Sequence, residues 1–238
     1  MPPLSPTARR LAQVVAIVAA VLLFATVAVQ VRHGNPAWDR DLFFWFHQRE
    51  VPGDYSDAAG WLARGLTRLG EAPASLLVAT VLLVFLAVAR RHRVQPQTTR
   101  AMVFAVVVPA SGSLAANGLK QVFRHPRPDA LYHYVPTRSF SFPSGHTATA
   151  TVVWLTVAVL LARYLTGRAA KVLPLACLVV PLLVGFSRVY LGVHWPTDVV
   201  AGLTFGVAWV LTCHLLFFET VPERPSPVSG PRSSDDGA

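Results

Sequence analysis

Six stretches of this chain are long and apolar enough to cross a bilayer as helices: Leu11–Val31, Ala72–Ala89, Ala101–Leu119, Thr147–Leu165, Val172–Val193 and Val199–Phe218. Each approaches or reaches the roughly 17–25 residues that a helix needs to span a hydrocarbon core about 30 Å thick. Lipid offers the backbone no hydrogen bonds, so segments of this kind are expected to be helical. Pro109, Asn117 and Pro181 interrupt the third and fifth stretches. Packed membrane helices tolerate such residues because neighbours re-satisfy the freed backbone groups. The expected fold class is therefore all-α, an integral membrane protein with six transmembrane helices. With 53% hydrophobic and only 14% charged residues among 238, the composition argues against a soluble globular domain.

The first stretch follows Arg9 and Arg10, and Thr26-Val27-Ala28 loosely resembles a cleavage site. Its apolar run exceeds the roughly 7–15 residues of a secretory signal, so a retained anchor is expected. Basic residues in short loops set the orientation. Arg9 and Arg10, then Arg90, Arg91, Arg93 and Arg100, then Arg163, Arg168 and Lys171 all fall on one side. That side is expected to be cytoplasmic and to hold both termini. The expected organisation is a cytoplasmic N-terminus (1–10), a first transmembrane anchor (11–31), an extracytoplasmic or interfacial segment (32–71), a core of five spans (72–218) and a disordered cytoplasmic tail (219–238). Within 32–71, "LFFWFHQRE" and "WLARGLTRLG" mix aromatics with charges at near-helical spacing. Interfacial helices and a packed extracytoplasmic loop both fit that pattern.

The net charge of +9 is explained by topology signals and contacts with anionic membrane lipids, and nucleic-acid binding is not expected. Cys177 and Cys213 fall within spans, which suggests neither a disulfide framework nor a thiolate metal site.

Lys120, Arg127 and Arg188 break the charge rule by lying on the outer side, and ionisable residues at a membrane edge are functional candidates. Three clusters share that side. In "KQVFRHPRP", Lys120 and Arg127 offer a compact ammonium and a planar fork, a pair suited to a tetrahedral oxyanion. Taken alone they also read as headgroup anchors. In "PSGH", a helix starting at Ser144-Gly145-His146 would aim backbone N–H groups at an anion, although an ordinary turn and cap explains the tetrapeptide as well. In "SRVYLGVHWPTD", His194 and Asp198 stand four apart beside Arg188. One helical face would let Asp198 fix the tautomer of His194, and a buried ion pair joining two helices is the alternative. Together these groups suit phosphoryl transfer through a covalent enzyme intermediate.

Lys120 with Arg127-Pro128, then Pro143-Ser144-Gly145-His146, then Ser187-Arg188 with His194 and Asp198, resembles the three-part signature of the type 2 phosphatidic acid phosphatase superfamily. The resemblance implies that His194 attacks phosphorus and that Asp198 orients it. It implies that His146 protonates the leaving oxygen and then activates water. Lys120, Arg127, Ser144, Gly145 and Arg188 would bind the phosphoryl oxygens. It implies no cofactor and no metal, since the fixed cations neutralise the phosphoryl charge. The implied substrate is a lipid phosphomonoester or diphosphate at the outer face, such as phosphatidic acid, phosphatidylglycerol phosphate or undecaprenyl diphosphate. The last is favoured by an outward site, with Arg124 and Arg138 as spare cations for a second phosphate. A lipid phosphotransferase using the same intermediate, or a membrane transporter, is the alternative. Oligomeric state is open. His33, His47, His92, His125, His133 and His214 read as structural or interfacial, with His125 set apart by its place inside the first cluster.

Overall fold

A computed structural model describes residues 5–47, 58–92 and 97–219. The expected tail (all but its first residue) and the end of "LFFWFHQRE" lie outside the described residues. Among the described residues the chain is helical throughout, with no strand. Six helices are long and apolar enough to cross a membrane. They are α1 (Pro6–Arg32), α4 (Ala72–His92), α5 (Thr98–Phe123), α6 (Gly145–Tyr164), α7 (Ala169–Tyr190) and α8 (Pro196–His214). Two shorter helices, α2 (Ala37–Phe46) and α3 (Ala58–Arg68), lie between α1 and α4. Where described, both stretches quoted from that segment are helical, as far as Phe46 and Arg68.

Polar ends extend α1, α4 and α5 beyond their apolar windows. A Ser5 cap and Pro6 in the first turn start α1, while α5 ends at Arg124 in the left-handed conformation (φ 49°). Pro109 sits inside α5 and Pro174 and Pro181 inside α7 without ending either helix.

The α6 helix is the centre of the bundle, packed against α5, α7 and α8. Its Thr147, Ala148, Ala150, Thr151 and Val152 are almost completely buried. Gly202 and Gly206, four apart on α8, permit this contact. A Cβ at Gly206 would come 2.5 Å from the Thr151 Cβ. Small residues at this spacing let two membrane helices approach to backbone distance. The α1 helix also packs on α8: Phe24, Val27 and Val31 join Phe142 and Ala201 in one apolar cluster. Leu76, Leu77, Val81 and Val84 of α4, and Val172, Leu175 and Leu182 of α7, are exposed, as lipid-facing side chains must be.

The short helices pack over one end of the bundle. Phe43 of α2 is fully buried and stacks on His47 at 4.2 Å, with Trp195 and Tyr132 beside it. Ala63 of α3 packs with Leu191 and Val193. Both helices therefore brace the connection between α7 and α8, where the third sequence cluster lies.

Candidate active site

The three clusters converge at that end of the bundle. Pro196 and Asp198 start α8, and the Asp198 Oδ2 accepts the Trp195 backbone N–H at 2.9 Å. A carboxylate in the first turn suits the positive end of the helix. The same oxygen lies 3.1 Å from His194 Nδ1 and accepts a short hydrogen bond from Ser141 Oγ. Asp198 therefore holds the proton of His194 on Nδ1, and the Nε2 lone pair is turned away from it. This pairing forms although His194 precedes the helix. The turn ahead of it is made by Gly192 (φ 69°), where a Cβ would collide with the Tyr132 carbonyl.

Arg127 is fixed over this nitrogen. Its Nη1 donates to the Val193 carbonyl at 2.5 Å and lies 3.1 Å from His194 Nε2; its Nε donates to the Ser139 carbonyl at 2.7 Å. Lys120 Nζ donates to the Phe140 carbonyl at 2.8 Å. Burial pushes the His194 pKa well below the ordinary histidine value, against the opposing pull of Asp198. The imidazole is therefore neutral with a lone pair on Nε2, the state a nucleophile requires.

The Arg188 guanidinium is buried, and its Nη1 donates to Thr67 Oγ1 of α3 at 2.7 Å. His146, in the first turn of α6, lines a cavity of about 570 Å³ together with Lys120, Arg127, Gly145 and His194. The inner wall of that cavity is apolar, with Ala79, Ala105, Val106, Pro109 and Val153 running down between α4, α5 and α6. A charged mouth above an apolar groove fits a phosphate carried on a hydrocarbon tail.

One part of the anion-site expectation needs correction. The Ser144 backbone N–H is taken by the Asp198 carbonyl at 3.0 Å, so it does not point outward. Ser144 Oγ is buried and accepts from Thr147 Oγ1 at 2.9 Å. Gly145, beside the Lys120 side chain, is the part of "PSGH" that reaches the cavity with His146. Arg124, Arg138 and the expected phosphate ligand Arg188 do not line it.

Several contributing residues carried no sequence signal. Ser141 links Asp198 and His194. His125, read as structural or interfacial, has Nδ1 3.6 Å from Asp198 Oδ1. The fully buried carboxylate of Asp39 accepts from the Thr197 N–H at 2.8 Å and the Thr197 hydroxyl at 2.9 Å, tying α2 to the start of α8. Burial raises the Asp39 pKa despite its bonds to Asn35 and Thr197. Glu71, in the connection from α3 to α4, lies 3.9 Å from His146. Nothing local distinguished Asp39, Thr67 or Glu71.

Comparison with known proteins adds a family and a fold. The family model described as the PAP2 superfamily matches residues 100–222, just over half of the chain. Phosphatidylglycerophosphatase B of Bacillus subtilis is 40% identical over 102 residues, which cover 42% of this chain and 46% of that protein. The aligned part is thus less than half of that relative. Decaprenylphosphoryl-5-phosphoribose phosphatase of Mycobacterium tuberculosis is 36% identical over 159 residues, covering 63% of this chain and 77% of the relative. The crystal structure of a transmembrane PAP2-type phosphatidylglycerolphosphate phosphatase from Bacillus subtilis superposes with a TM-score of 0.70 at 25% identity, covering 87% of this chain and 98% of that one.

Proposed function

Because the chain belongs to the PAP2 superfamily, we propose that it is a membrane lipid phosphatase. It would hydrolyse a lipid phosphomonoester or diphosphate through a phosphohistidine, with its site at the outer membrane face. The observation that carries this reading is the placing of His194, its Nδ1 3.1 Å from Asp198 Oδ2 and its Nε2 3.1 Å from Arg127 Nη1, at the mouth of a groove with an apolar inner wall.

In the proposed reaction Nε2 of His194 attacks phosphorus and forms an N–P bond as the P–O bond to the leaving group breaks. His146 gives its proton to the leaving oxygen. Arg127, Lys120, Arg188 and the Gly145 N–H take the phosphoryl oxygens, and their contacts strengthen as charge gathers on those oxygens. Before the attack, Arg127 moves from Nε2 to a phosphoryl oxygen, which frees the lone pair. In the second half, water gives a proton to His146 and attacks phosphorus, the N–P bond breaks, and inorganic phosphate leaves. The lipid keeps its tail in the groove between α4 and α5.

The relatives named for phosphatidylglycerophosphate and for a polyprenyl-linked phosphoribose support a lipid phosphate as substrate class. The test is phosphate release by the purified protein in detergent across lipid monophosphates and diphosphates, with and without EDTA and orthovanadate. Turnover that survives EDTA and is inhibited by vanadate is expected, since vanadate can accept His194 as a fifth ligand and imitate in-line attack. No release from any lipid phosphate would remove the proposal.

A further inference from the structure

The connection from α3 to α4 brings a carboxylate into the site that the proposed phosphoryl chemistry does not use. Glu71 Oε1 stands 3.9 Å from His146 Nε2, and both side chains line the same cavity. Backbone packing fixes this neighbourhood. Gly70 lies so close to the first turn of α6 that a Cβ there would come 2.7 Å from the His146 carbonyl oxygen. The α4 helix begins one residue after Glu71, and the Ser75 hydroxyl donates to the Glu71 carbonyl at 2.9 Å. The backbone that carries the carboxylate is therefore held on both sides, and the side chain is 43% exposed.

Its position decides what it meets. His146 marks where the leaving oxygen departs, so the group carrying that oxygen emerges against Glu71. The polar groups lining the cavity nearby, Ser75, Ser113, Asn117 and Thr149, are neutral. The lining cations Lys120 and Arg127 are assigned to the phosphoryl oxygens. A lipid diphosphate places negative charge on the leaving atom itself, beside Glu71 and with no cation assigned to it. A polyol or sugar leaving group offers hydroxyl donors that the carboxylate can accept.

We propose that Glu71 is a specificity-determining residue: it selects lipid phosphomonoesters whose leaving oxygen sits on a hydroxylated carbon skeleton and disfavours lipid diphosphates. The assignment rests on the phosphatase reading of the same site and narrows it, away from the diphosphate favoured by topology alone.

The test compares kcat/KM for phosphatidylglycerol phosphate and for a polyprenyl diphosphate in mixed micelles, in the wild type, Glu71→Gln and Glu71→Asp. The ratio between substrates is read within each variant, so differences between the two lipid tails cancel. Removing a like charge a few ångströms from the leaving group should shift the ratio toward the diphosphate by about ten-fold in Glu71→Gln. Glu71→Asp, which keeps the charge and withdraws it by one methylene, should shift it less and in the same direction. Retained vanadate inhibition shows that the phosphoryl site is intact in each variant. Equal loss on both substrates, or an unchanged ratio in both variants, would overturn the assignment of Glu71 while leaving the phosphatase reading in place. A wild type that turns over neither substrate would overturn both.

Discussion

His194 is held by groups that act on its two nitrogens separately, and this gives its protonation a definite sign. Burial depresses its pKa, so below about pH 6.5 the unfolded chain takes up a proton that the native ring refuses, and native stability declines as pH falls through that range. The nucleophile itself should stay neutral there. In protein labelled with ¹⁵N-histidine, we expect His194 to keep a neutral, Nδ1-protonated ring at about pH 5.5, assigned by its loss in His194→Gln. An imidazolium signal appearing near pH 6.5 would contradict this. His194→Ala should lower kcat by about 10⁴-fold or more, and Asp198→Asn by about 10²–10⁴-fold, because the asparagine no longer selects the tautomer. Both variants should retain the melting transition of a folded protein in detergent. Near-normal turnover in His194→Ala would eliminate the proposed nucleophile.

At the scale of elements, α2 and α3 act as braces for residues that the long helices carry. Thr67 of α3 accepts from the buried Arg188, whose Nε has no hydrogen-bond partner among the described residues. Replacing Thr67 with Val leaves that guanidinium short of an acceptor, and a hydrogen bond to a buried charge is worth about 1.5–3 kcal/mol. If Arg188 then leaves its position, kcat/KM and vanadate affinity should fall together by about ten-fold or more. Loss of one without the other would show that Thr67 does not act through the clamp. Asp39 does the same for α8. Asp39→Ala strands the buried N–H and hydroxyl of Thr197, at a cost of about 1–3 kcal/mol per unsatisfied group, and should lower the melting temperature in detergent. Neither brace was legible in the sequence. The Arg188–Thr67 contact joins residues 121 positions apart and the Asp39–Thr197 contact joins residues 158 apart. Hydrophobic periodicity reports which face of a helix is buried and says nothing about which distant hydroxyl will meet a charge. The six spans were legible because lipid leaves a backbone one solution, and length with apolarity suffices to state it. The three clusters were legible because residues adjacent in sequence stay adjacent at a helix end. Ser144 shows the limit of that logic: its N–H was read from a helix start alone, and the approach of α8 gave that N–H a partner.

For the whole molecule, the bundle has two chemically different ends, and the proposed function depends on which one faces out. At the end with His146 and His194, Lys120, Arg127 and Arg188 form a cluster bonded to carbonyls, Thr67 and His194, while Arg124 and Arg138 are exposed. At the opposite end Arg9, Arg10 and Arg163 line an open cavity of about 1000 Å³. A basic open end of this kind is what the cytoplasmic ends of membrane helices usually show. Those three clustered cations are discounted from the charge bias on which the extracytoplasmic reading of this end rests. Two exposed positions separate the ends: Leu131, in the loop between α5 and α6, and Thr99, at the start of α5. Between them α5 runs for 26 residues, about 39 Å of helix and enough to cross the bilayer. In a background with Cys177 and Cys213 replaced, a single cysteine at Leu131 should react with an impermeant thiol reagent on intact cells. One at Thr99 should react only after permeabilisation. The opposite pattern would place the site in the cytoplasm, where the orientation inferred from the arginines fails and the substrate would have to be a lipid of the inner leaflet.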